Sequence, residues 1–161
     1  MRQLKESIFI LSIFSSVLSA QAQKNDAPLS SNAPQDKVMP VYNGQLKQMD
    51  SILAPYISQA KSSYGQAKER FLKGLPSGEA FFVVTRIFDT DGKFEQVFMR
   101  VKNYKADNVS GIIANDLSTV KEYKVNQLIV FKEIEVLDWL ITKPDGSEEG
   151  NFIGKYLDTK Q

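Results

Sequence analysis

Phe81-Phe82-Val83-Val84-Thr85-Arg86-Ile87-Phe88, then Asp89-Thr90-Asp91-Gly92-Lys93, then Phe94-Glu95-Gln96-Val97-Phe98-Met99-Arg100-Val101 is the stretch that decides the fold. Its first run is rich in aromatic and β-branched residues, which suit a strand buried on both faces. In its second run Glu95, Val97, Met99 and Val101 alternate with Phe94, Gln96, Phe98 and Arg100, the period of a strand with two different faces. Asp-Gly between two such runs predicts a hairpin turn. The alternating aspartates before Gly92 also resemble the start of a calcium loop. Such a loop needs glycine at its sixth position and glutamate at its twelfth, and this spacing supplies neither. Turn chemistry is the better reading.

Outward from the hairpin, Asn103 to Asn108 predicts the next turn and Val109 to Ala114 a third strand ending at Asn115-Asp116. Leu117 to Lys124 reads as a polar connection. Val125 to Phe131 and Ile134 to Ile141 read as two further strands with a turn or bulge at Lys132-Glu133, and Pro144-Asp145-Gly146 as a tight turn. Asn151 to Gly154 is placed at the closing edge of the sheet, followed by a polar tail. On the other side of the hairpin the period changes. Leu46, Met49, Ile52, Leu53, Ile57, Ala60, Tyr64, Ala67 and Phe71 fall three and four apart, the stripe of a helix that covers a sheet. Asp50-Ser51, Pro55 and Gly65 predict a late start, a bend or a break within it. The fold class is therefore α+β: an N-terminal helical segment packed on an antiparallel sheet of about five strands, with a small, partly closed β-barrel as the alternative.

The chain has 161 residues, in the range of one domain. Arg2 and Lys5 precede an apolar run from Ile8 to Leu18, and Ala20-Gln21-Ala22 supplies small residues for a peptidase, so residues 1–22 are predicted to be a signal peptide cleaved near Ala22. The run is too short to span a bilayer, which takes roughly 20 apolar residues. Residues 23–44 read as a flexible leader around Pro28 and Pro34, with a weak apolar patch at Val38 to Tyr42. The domain itself is placed at 45–157 and a tail at 158–161. The expected location is periplasmic or secreted, with no stable membrane anchor.

Loss of Arg2, Lys5 and Glu6 would bring the net charge from +1 to zero. A neutral chain without a Lys/Arg run has no electrostatic reason to bind nucleic acid. Cysteine and histidine are both absent. That excludes disulfides, thiol catalysis, a lipidated cysteine, Cys/His zinc sites and a histidine base. No cofactor and no metal is indicated.

Phe81-Phe82-Val83, Glu95 to Val101, Gly111-Ile112-Ile113-Ala114-Asn115-Asp116, Ile134-Glu135-Val136-Leu137-Asp138-Trp139 and Asp145-Gly146 with Gly150-Asn151-Phe152 resemble, in order and spacing, the successive motifs of the YegJ-like family of small bacterial domains. The resemblance covers about Ile57 to Phe152. Phe98 stands where the family often has tryptophan, and Leu117 where proline is common. The family is one of unknown function, so the resemblance implies a fold and export, and no chemistry.

The polar residues of those motifs are the candidate site: Glu95, Asn115, Asp116, Asp138 and Trp139. Side chains at strand ends can converge on one rim, and a carboxylate pair can do acid–base work where burial raises one pKa. The structural alternatives are an Asn-Asp turn cap, ion pairs of Glu95 and Asp138 with Arg86, Arg100 or a lysine, and a core tryptophan. Two functions follow. One is a noncatalytic exported binding module for a protein or small ligand, including an inhibitor- or immunity-like protein. The other is a carboxylate-dependent enzyme acting on an envelope substrate, which needs Glu95, Asp116 and Asp138 in one cleft.

Overall fold

The computed structural model describes residues 43–160, so the predicted signal peptide and the patch at Val38 to Tyr42 lie outside the described residues, as does nearly all of the leader. A long helix, α1 (Asn43–Lys73), precedes the hairpin of β1 (Ala80–Phe88) and β2 (Phe94–Lys105). Then come β3 (Asn108–Ile113), β4 (Leu128–Lys132), a 3-10 turn (Glu133–Glu135), β5 (Asp138–Thr142), β6 (Glu148–Gly150) and a second helix, α2 (Phe152–Asp158). The strands form one open antiparallel sheet in the order β4-β3-β2-β1-β5-β6. The fold is α+β as predicted, with six strands where about five were expected, and the sheet does not close into a barrel.

The hairpin turn forms as its residues dictate. Asp89 N–H donates to the Lys93 carbonyl, Gly92 adopts a φ of 84°, and Asp91 accepts the Lys93 N–H. Val83 pairs with both Met99 and Trp139, and Val84 with both Phe98 and Asp138. One face therefore carries Phe81, Val83, Thr85, Ile87, Glu95, Val97, Met99, Trp139 and Ile141. The other carries Phe82, Val84, Arg86, Phe94, Phe98, Asp138 and Leu140. A bulge after Val101 lets Tyr104 return to the first face opposite Val109.

That first, inner face holds the main core with Ala60 and Ala67 of α1. Phe71 packs on Phe81 with ring centroids 5.5 Å apart, and the Trp139 indole N–H donates to the Ala60 carbonyl at 3.1 Å. On the outer face Phe82, Val84, Phe94 and Leu140 are also buried, as are Leu53 of α1 and Ile153 of α2. Tyr56 of α1 stacks on Tyr156 of α2 at 4.3 Å.

Four expectations change. First, α1 runs unbroken through Pro55 and Gly65. Pro55 is on the exposed side, and Ser51, whose carbonyl loses its partner, is exposed to water. Gly65 has open space around it, so its cost is the usual propensity of about 1 kcal/mol and no break. Second, β4 begins at Leu128 rather than Val125, because Asn126 takes a φ of 65° and turns the chain. Third, Lys132-Glu133 starts a crossover rather than a turn or bulge between two strands: the chain passes over the inner face, where Thr85 Oγ1 donates to the Glu135 carbonyl, and reaches β5 beyond β1. Fourth, the residues after Asn151 form α2, not a closing strand and a polar tail.

Candidate functional site

Glu95 is 1% exposed and its carboxylate is fully occupied by backbone donors. It accepts the N–H groups of Ser118 at 2.9 Å, Thr119 at 2.8 Å and Val120 at 3.1 Å, and the Ser118 hydroxyl at 3.3 Å. Asp89, at the other end of the same turn, accepts Lys121 N–H at 2.7 Å and Glu122 N–H at 3.0 Å. Glu122 returns a carboxylate to the Thr90 N–H and hydroxyl. Two buried carboxylates of one hairpin thus satisfy five consecutive N–H groups of a loop that has no ladder of its own. Val120 is thereby pinned into the core.

Asn115 replaces a missing rung. Its Oδ1 accepts the Phe98 N–H at 2.8 Å just past the point where β3 stops pairing, and its Nδ2 donates to the Asp116 carbonyl at 2.9 Å. Asp116 is exposed, and its carboxylate takes no hydrogen bond from the described residues.

Asp138 is completely buried on the outer face. Its two oxygens accept the Trp139 N–H and the Ile153 N–H, each at 2.7 Å, so it anchors the first turn of α2. Burial pushes its pKa up to about 6 against the lowering effect of those N–H donors. Trp139 is core: its indole N–H is shared between the Ala60 carbonyl and Ser63 Oγ, and Phe152 meets it edge-on at 6.1 Å. Gly150, with a φ of 78°, is where a Cβ would lie 2.2 Å from the Trp139 carbonyl oxygen. The motif residues Asp138-Trp139 and Gly150-Asn151-Phe152 are therefore one packing unit.

The predicted site residues separate into two groups. Glu95 joins the loop that carries Asn115-Asp116; Asp138 and Trp139 belong to the α2 anchor. Glu95 and Asp138 lie on opposite faces of the sheet, because Glu95 is in register with Ile87 and Asp138 with Val84. No cleft holds the three carboxylates, and among the described residues no group of three or more His, Cys, Asp or Glu is placed to hold a metal ion.

A cavity opens beside the second of these groups, a groove of about 270 Å³ between α1 and the crossover. Ala60, Lys61 and Tyr64 line one side; Glu133, Ile134, Val136 and Leu137 line the other, with Asp138 and Trp139 completing it. Its walls are mostly apolar. At one end the Tyr64 and Tyr104 hydroxyls meet at 2.8 Å, and Lys68 holds both Glu133 oxygens at 2.6 and 2.7 Å. Burial raises both phenol pKa values well above the ordinary range. Lys61 is exposed at the rim, with no ion-pair partner among the described residues.

The sequence reading missed Asp89, Lys61 and Glu133. A usable signal for Asp89 was present: acids on both sides of a tight turn, and downstream a nonperiodic loop whose N–H groups needed acceptors. Comparison with protein-family models, curated proteins and solved structures returned no match.

Proposed function

We propose that this chain is an exported, noncatalytic binding module that receives a partner protein in the groove between α1 and the crossover. The observation that carries the reading is the contrast between used and unused groups. Glu95 and Asp138 spend their oxygens on backbone donors on opposite faces, whereas the groove presents apolar walls and the ammonium of Lys61, which has no ion-pair partner among the described residues, to solvent. A volume of about 270 Å³ is below the roughly 300–1,000 Å³ of small-molecule pockets and suits an inserted apolar side chain. Lys61 at the rim favours an acidic neighbour to that anchor. Arg2, Lys5, the apolar run and Ala20-Gln21-Ala22 support export, and the resemblance to YegJ-like domains agrees with it without adding chemistry.

The test is capture from envelope extract, comparing wild type with Ile134→Asp/Lys61→Glu, two exposed changes that leave the core intact. A partner held by wild type and by Asn115→Ala/Asp116→Ala, and lost by the groove variant, is the expected result. Equal capture by the groove variant would remove the groove from the reading, and turnover of an envelope substrate that depends on Asp116 or Asp138 would overturn its noncatalytic part.

A further inference from the structure

The two edges of the sheet are built differently. The β6 edge is three residues long, carries Glu148 and Glu149, and runs directly into α2; Glu149 is held by Arg70 and Lys143. Those are the ordinary defences of a sheet edge: shortness, charge and cover. Among the described residues the β4 edge has less of each: it is five residues long, its one charge is Lys132 at the end, and the Glu135 carboxylate accepting the Lys132 N–H covers only that end. Leu128-Ile129-Val130-Phe131-Lys132 pairs with β3 on one side and with no described strand on the other. It has no proline, no bulge and no charge before its last residue. Leu128 is 60% and Val130 65% exposed, on the outer face, and the next apolar residue, Ile134, is 79% exposed. Apart from the Lys132 N–H, which Glu135 accepts at 3.1 Å, such an edge offers main-chain donors and acceptors with no partner among the described residues, together with apolar surface, and the group that satisfies both is an extended strand.

We propose that β4 is the contact between two copies of this chain, joined antiparallel about a two-fold axis at Val130. The groove adjoins this edge at Ile134, but none of Leu128 to Lys132 lines it, so the inference does not depend on the proposed function. The strand's own limits set the register. Asn126 turns the chain before it and the 3-10 turn ends it, so full overlap places Val130 against its counterpart, Ile129 against Phe131 and Leu128 against Lys132.

Each of those pairs is compatible. Ile129 and Phe131 make a β-branched–aromatic pair, twice, on the inner side. On the outer side, Val130 meets Val130. Lys132, whose Nζ is 2.8 Å from Asp107 of its own copy, lays its aliphatic stem over Leu128 with no like charge opposite. A net charge of +1 sets up little repulsion between copies. The two-fold arrangement also closes. It consumes both β4 edges and leaves a guarded β6 edge at each end of the merged sheet, so it stops at a dimer and does not propagate.

Sedimentation velocity on the protein purified after expression of the full chain tests this. The expected result is a mass that rises toward twice the monomer's as concentration increases through the micromolar range, with the β4 amides gaining hydrogen-exchange protection over the same range. Val130→Lys, an exposed position, places two ammonium groups across the axis and should hold the protein monomeric. Leu128→Lys, which opposes Lys132, should do the same, while Val130→Thr and the distant exposed change Leu72→Lys should leave the dimer intact. A monomer at every concentration overturns the proposal, and so does a dimer that survives both lysine variants with folding confirmed by circular dichroism.

Discussion

The two faces of this sheet each bury one carboxylate, and they use it differently. On the inner face Glu95 gathers three backbone N–H groups and a hydroxyl from a loop that would otherwise lack partners, with α1 and the crossover packed on that same face. On the outer face Asp138 receives N–H groups from Trp139 and Ile153 in a site closed to water, and its pKa rises to about 6. The difference lies in what each buried carboxylate organises: Glu95 holds a loop that has no ladder of its own, and Asp138 holds the first turn of a helix.

Two neighbouring residues of β2 point to opposite faces and should respond differently to a buried charge. Val97, at 0% exposure in the inner core, should not tolerate Asp: an unpaired charge there costs more than about 4 kcal/mol and should unfold the domain. Phe98→Asp, on the half-buried outer face, should cost clearly less. Equal losses in denaturant titrations would contradict the assignment of faces.

Next in size is Glu95→Ala, which strands the Ser118, Thr119 and Val120 N–H groups. A loss of about 3 kcal/mol is expected, with raised hydrogen exchange over 117–122 ahead of the rest of the sheet. An unchanged exchange pattern would mean that the loop holds itself.

The Asp138 carboxyl makes the stability of the outer face depend on pH. Its folded pKa, about 6, is above the unfolded value near 3.8, so the native state favours the protonated form. The stabilisation is fully present below about pH 4 and is lost as pH rises through 6, up to about 3 kcal/mol. Unfolding free energies of wild type relative to Asp138→Asn should therefore fall between pH 4 and pH 6.5, and a flat difference would show that the donors fully offset burial. The smallest effect belongs to Asp116→Ala, which should stay within about 0.5 kcal/mol because the side chain is exposed and makes no hydrogen bond with the described residues.

The candidate site was legible as a set of residues and not as an arrangement. Asp138-Trp139 and Gly150-Asn151-Phe152 stood out in the chain, yet the reason they go together is a non-local contact. Gly150 has no side chain because Trp139 occupies that space, and Ile153 closes on the carboxylate. The acceptor role of Glu95 was hidden for the same reason, since its donors lie 23 to 25 residues further on. The seven-residue α2 is too short to show a helical period, so its residues read as a strand end and a tail.

What the sequence by itself determined is what period and turn chemistry encode locally: the amphipathic helix, the Asp-Gly hairpin, the alternation from Phe94 to Val101 and the α+β class. Tertiary structure alone decided that β5 joins the sheet beside β1 while β4 ends at the far edge, that Glu95 and Asp138 face apart, and that α1 passes through Pro55 unbroken. The physical reason is that alternation tells which residues share a face of one strand, whereas the order of strands and the identity of each face depend on pairings distant in the chain. β1, apolar on both sides, fits either way until α1 and the crossover choose a side.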